Sequence, residues 1–113
     1  MRLLILSGLA LLAACQSEPA PVPLTPEQSA ALKPADARLA GLYEQSCKSC
    51  HTARDTGAPL TGDRTMWDPR WAKGMPALVR SAVGGLGGMP AGGQCFSCTP
   101  ADHEALIRFM AAR

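Results

Sequence analysis

Cys47-Lys48-Ser49-Cys50-His51 constrains this chain more than any other stretch of it. Two thiols three residues apart, with an imidazole directly after the second, suit one turn of helix. In that register the thiols reach the two vinyl groups of a haem while His51 points at the iron, the pattern of c-type haem attachment. Lys48 and Ser49 only fill the spacing. A covalent haem would also answer a size problem. Of 113 residues, only roughly 75 remain to fold once an N-terminal signal and a polar spacer are set aside, and so small a domain usually needs a staple. With two Trp, two Phe and one Tyr, the chain has little aromatic bulk of its own, and the porphyrin would supply it.

Other uses of a C-x-x-C pair stay open at this point. A thioredoxin-like dithiol sits in a strand-helix unit, and no stretch here alternates as a strand does. A second pair, Cys95-Phe96-Ser97-Cys98, could join the first in a structural four-cysteine zinc module, although the separation is long for a zinc ribbon and His51 and Met89 would then have no role. In an oxidising compartment each pair could instead close a disulfide.

The N-terminus carries an address. Met1-Arg2 followed by Leu3 to Ala14 has the positive start and short apolar run of a secretory signal, too short to span a membrane. Leu11-Leu12-Ala13-Ala14-Cys15 resembles a bacterial lipobox, which implies a signal peptide over residues 1–14 and a lipidated Cys15. Gln16 in place of Asp implies, by the same resemblance, outer-membrane rather than inner-membrane sorting. The plainer alternative is an ordinary cleavage site after Ala14. Residues 15–34 are Pro-rich and read as a semi-rigid tether. Within it, Thr25-Pro26-Glu27-Gln28 carries the cap, the proline and the Gln of a helix start, which predicts a short helix to about Lys33.

In the domain expected over residues 35–113, Leu39, Leu42 and Tyr43 predict an amphipathic helix over 35–46 leading into Cys47. Met75 to about Val83 predicts a second helix. Thr99-Pro100-Ala101-Asp102 opens a last one, whose Leu106 and Phe109 should pack on Leu39 and Tyr43. His103 is placed on its polar, solvent-facing part. Met66 and Trp67 fall in a polar stretch read as irregular.

Four methionines lie beyond the signal, and Met89 is the one set apart. It stands in Gly84-Gly85-Leu86-Gly87-Gly88-Met89-Pro90-Ala91-Gly92-Gly93, a glycine run that can fold tightly over a flat ligand, with Pro90 stiffening the chain after the sulfur. Met75 and Met110 read as core, and Met66 as a weaker second choice. His51 and Met89 as axial ligands would close the iron, so that it exchanges electrons and binds no substrate. An open iron site, as in a haem sensor or a small peroxidase, is the competing haem reading.

These segments together resemble bacterial cytochrome c5, a class I c-type cytochrome: Leu42 to His51, Gly57-Ala58-Pro59-Leu60, Lys73-Gly74-Met75, Gly88-Met89-Pro90, Gly92-Gly93-Gln94-Cys95-Phe96-Ser97-Cys98 and the closing helix. The resemblance implies an all-α fold of three to five short helices around one covalently bound haem c. It also implies a Cys95–Cys98 disulfide and a Pro59 carbonyl that accepts from the proximal imidazole, a contact that orients the ring and raises its basicity. The family's usual Met-Pro-Pro is Met-Pro-Ala here, with Ala91 in the last place, which loosens the loop. Trp67, Arg70 and Trp71 would supply N–H donors to the haem propionates, or Trp67 packs beside a surface arginine.

The implied activity is one-electron transfer between redox-protein donor and acceptor in the periplasm, from a membrane anchor at Cys15. No enzymatic reaction, small-molecule substrate or nucleic acid is expected. A formal charge of +2 is too small to draw a polyanion. Six basic residues from Lys48 to Arg80 against three acids make the haem half mildly basic, either as ordinary solvated surface or as a docking rim for an acidic partner.

Overall fold

The structure, a computed structural model, describes residues 17–113, so the signal segment and Cys15 lie outside the described residues. Six α-helices form among them, in order α1 Pro26–Ala30, α2 Ala37–Ser46, α3 Lys48–His51, α4 Arg64–Trp71, α5 Met75–Gly84 and α6 Pro100–Met110, with 3₁₀ turns at Arg54–Thr56 and Ala91–Gln94. Among the described residues there is no strand beyond one isolated bridge between Leu86 and Met89. The all-α class stands. Six helices rather than three to five are counted because α1 and α3 are single turns of five and four residues.

Local chemistry sets the helix starts. The Thr25 hydroxyl accepts from Gln28 N while the Gln28 side chain accepts from Thr25 N, a complete capping box for α1. Thr99 and Asp102 form the same reciprocal cap on α6, with Pro100 at its first turn. Asp36 caps α2 through Leu39 N. The stretch expected to be irregular around Met66 is instead α4. Asp63 caps it through Thr65 N, and burial of Trp67 in the core outweighs the helix-breaking tendency of Pro69.

The core joins α2, α4, α5 and α6 through Tyr43, Trp67, Ala82, Leu106, Ile107 and Met110. Tyr43 is fully buried and meets Phe109 edge-to-face at 5.0 Å, as the helical spacing predicts. No described helix is long and apolar enough to cross a membrane.

Part of the expected tether is folded. α1 ends at Ala30, and Ser29, its one fully buried residue, is sealed against the domain. Leu24 N–H donates to Asp63 Oδ2 at 3.1 Å, and Arg54 donates to the Leu24 carbonyl at 3.0 Å. Residues 17–23 are exposed and without regular structure, with Glu18 paired to Arg64 of α4; proline content alone could not tell the exposed part of the spacer from the docked part.

Arg38 on α2 grips Asp102 on α6 through both carboxylate oxygens, at 2.7 and 3.0 Å. That fork and the Thr99 backbone N–H hold the Asp102 carboxyl well below the usual carboxylate range. A depressed acid stabilises the fold above its unfolded pKa, and the contribution disappears as pH falls through the folded value. Asp102→Asn should therefore melt several degrees below the parent at about pH 7. In thermal melts followed down through about pH 4 and below, the difference should shrink as the parent's own carboxylate becomes protonated.

Candidate functional site

Cys47 closes α2 and opens α3, and the hydrogen-bond ladder runs through it: Cys47 N–H donates to Tyr43 O and His51 N–H to Cys47 O, both at 3.0 Å. The motif is thus one continuous helical turn, which puts Cys47, Cys50 and His51 on neighbouring positions of one side. Cys47 is half-buried, Cys50 exposed, and both are free thiols. Burial pushes the Cys47 thiol up to about 11, far from the thiolate range of a redox dithiol.

His51 is buried, and its Nδ1 lies 2.8 Å from the Pro59 carbonyl. A carbonyl can only accept, so Nδ1 carries the proton and Nε2 presents its lone pair. Burial lowers the pKa of the ring against the opposing pull of the Pro59 bond, which favours the neutral, ligating form. The Trp67 indole stacks on the imidazole at 5.9 Å between centroids.

The second candidate ligand is placed by glycine geometry. Leu86 and Met89 exchange two backbone hydrogen bonds, at 3.0 and 2.9 Å, across a tight turn entered through Gly85 at φ +87°. A Cβ on Gly85 would come within 3.0 Å of Met89 O and 3.1 Å of Ala91 N, and one on Gly93 within 3.0 Å of Met89 Cε. Met89 packs against the same hydrophobic core as Cys47. The remaining described methionines are occupied elsewhere. Met110 is buried in the core, Met75 packs against it from the start of α5, and the Met66 sulfur accepts from Leu60 N–H at 3.5 Å.

His103 is not solvent-facing. It is buried, at 8% exposure, with Nε2 3.0 Å from the Gly92 carbonyl and Nδ1 3.1 Å from the Thr99 carbonyl. Its ring ties the glycine-rich loop to α6, and with a carbonyl facing each nitrogen it offers no free donor to a metal. The reach back to Thr99 O, four residues earlier, was available in the spacing; the Gly92 contact was not.

Cys95 and Cys98 are joined as a disulfide, with Cα atoms 5.3 Å apart. This overturns the four-thiolate zinc module, since bonded sulfurs are not thiolates, and among the described residues no group of three or more His, Cys, Asp or Glu side chains could hold a metal ion. Trp67 turns its indole N–H to the Leu60 carbonyl at 2.9 Å, so this nitrogen is satisfied within the protein and Trp67 is a packing residue. Arg70 donates to Met66 O at 2.6 Å; with Lys73 it lines a groove of about 310 Å³ between α4 and α5. Trp71 lies under the Arg108 guanidinium at 5.7 Å.

A family model described as cytochrome c oxidase, cbb3-type, subunit III matches residues 34–110. The chain belongs to this family of c-type cytochromes. The cytochrome is 38% identical over 72 residues to cytochrome c-555 of Chlorobaculum tepidum, an alignment covering 60% of this chain and 67% of the relative. It is 31% identical over 71 residues to cytochrome c5 of Ectopseudomonas mendocina, covering 61% and 82% respectively. It superposes with a TM-score of 0.60, at 34% identity, on a chain from the crystal structure of an electron transfer complex of nitrite reductase with cytochrome c, over 69% of this chain and 98% of that one.

The cytochrome carries one covalently bound haem c, and the donor set fits it: two free thiols on one helical turn and an imidazole whose outer nitrogen is already engaged. The haem supplies a one-electron iron couple, and the protein is an electron carrier.

The crowding around Gly85 is testable in isolation. Gly85→Ala, at positive φ and against backbone atoms that cannot yield, should cost more than about 1 kcal/mol. The melting temperature of the holoprotein should fall by at least ~4 °C.

Proposed function

We propose that the cytochrome is a periplasm-facing carrier of single electrons whose haem is bound through Cys47 and Cys50 and ligated by His51 and Met89. One observation carries the reading. The Pro59 carbonyl holds the proton on His51 Nδ1 and so leaves the lone pair on Nε2, while the Met89 backbone is locked by a glycine turn. With both axial positions filled the iron has no site for a substrate, so the protein moves electrons and performs no enzymatic reaction of its own.

Residues 1–14 act as signal peptide, and lipid on Cys15 anchors the protein to a membrane, the outer one by the resemblance at Gln16. Residues 17–23, Pro-rich, exposed and without regular structure, would act as a short spacer that keeps the domain close to the surface. Arg70 and Lys73 beside the α4–α5 groove favour a redox partner with an acidic rim.

An optical spectrum of protein matured with the haem-attachment machinery tests the centre. Sharp c-type bands on reduction should survive acid-acetone extraction, and the reduced protein should not bind CO promptly. Extractable colour would exclude the thioether bonds; prompt CO binding would exclude Met89. Replacing Cys15 by Ser should release the protein from membrane fractions without altering that spectrum.

A further inference from the structure

α1 lies outside residues 34–110, the part that matches the family, yet its Ser29 is buried to 0% exposure. The hydroxyl donates to the Thr61 carbonyl at 2.8 Å and lies 3.2 Å from the His51 carbonyl, a bond shared between two acceptors. Those two residues are the ends of one loop. Thr61 N–H donates to His51 O at 2.7 Å, closing the chain on itself, and inside the closure Pro59 presents its carbonyl to His51 Nδ1 at 2.8 Å. Ser29 therefore clasps both ends of the loop that sets the imidazole hydrogen bond.

The clasp is held from outside. The capping box of Thr25 and Gln28 fixes α1, Leu24 N–H and its carbonyl are tied to Asp63 and Arg54, and Leu24 and Leu32 close over Gly62, where a Cβ would come within 2.4 Å of Leu32 Cδ1. Gly62 stands next to Thr61, so Leu24 and Leu32, on either side of Ser29 in the strap, close on the loop's outer end beside Ser29's contact.

We infer that Ser29, carried on the strap of residues 24–32, is a positioning residue for the proximal ligand: it holds the loop that keeps the Pro59 carbonyl on His51 Nδ1, and through it tunes the reduction potential. The inference rests on the proposed ligation by His51. A carbonyl accepting from Nδ1–H makes the imidazole a stronger donor at its other nitrogen, which favours oxidised iron. Loosening the loop weakens that bond and should raise the potential.

The test uses the full-length holoprotein. Ser29→Ala should raise the reduction potential and, in NMR of the reduced protein, speed solvent exchange of the His51 Nδ1–H at least about tenfold, the change expected from a little over 1 kcal/mol of lost protection. Thr25→Ala, an exposed position whose loss frays α1 without entering the core, should shift both readouts the same way by less, and serves if Ser29→Ala fails to mature. Tyr43→Phe removes the 2.9 Å bond to the Thr61 hydroxyl and leaves the clasped carbonyls alone; it should lower the melting temperature and leave the potential in place. If Ser29→Ala or Thr25→Ala lowers only the melting temperature, with potential and exchange as in the parent, Ser29 is a packing residue and the inference fails. Failure of the ligation itself would show separately, in a parent protein without c-type bands.

Discussion

Met89→Ala should convert a closed haem centre into an open one. The reduced variant is expected to bind CO promptly, where the parent does not, and its reduction potential should fall by on the order of tenths of a volt, within the about 0.8 V that ligands and surroundings span in haem proteins. The effect is large because nothing nearby can substitute. Met66 is engaged by Leu60 N–H, Met110 is buried in the core and Met75 packs against it at the start of α5, and both nitrogens of His103 face backbone carbonyls. Stability should respond less than in a fully buried Met→Ala replacement, for which about 2–5 kcal/mol is usual, since Met89 is only partly buried. A variant with unchanged spectrum and CO response would remove Met89 from the coordination sphere.

Tyr43→Ala should have the largest effect on the fold. The side chain is fully buried, packs edge-to-face on Phe109 at 5.0 Å and donates its hydroxyl to Thr61 at 2.9 Å. Truncating a large buried aromatic costs about 3–5 kcal/mol, a large share of the about 5–15 kcal/mol that holds a small domain together. In calorimetry of the holoprotein the melting temperature should drop by roughly 12 °C or more. A drop of only ~2–3 °C would mean that the covalent haem, rather than the contact between α2 and α6, carries the cohesion of this end of the molecule.

Much of the architecture was legible beforehand because it rests on local rules. The caps at Thr25 and Thr99 are side-chain to backbone bonds spanning three residues, and such bonds form wherever the residues occur in that order. Leu39, Tyr43, Leu106 and Phe109 repeat at helical spacing, so the face on which α2 and α6 meet follows from period alone. α4 was not legible, since Pro69 and a run of polar residues argue against a helix; only the core that receives Trp67 reverses that expectation.

The attachment motif shows the same division. Spacing alone makes Cys47, Cys50 and His51 neighbours, because three- and four-residue separations are fixed by the helical turn. Which nitrogen of His51 keeps its proton is decided by a carbonyl eight residues away, held by a loop whose ends are clasped from α1. Likewise Ser29 and His103 are ordinary polar residues in sequence. They become buried fasteners of the two loops that carry Pro59 and Met89 only because tertiary packing brings backbone carbonyls from distant segments within reach, and a buried carbonyl must find a donor. The chain's order of residues determined its other helices, its cofactor chemistry and its family; the fold decided α4 and which side chains hold the ligands in position.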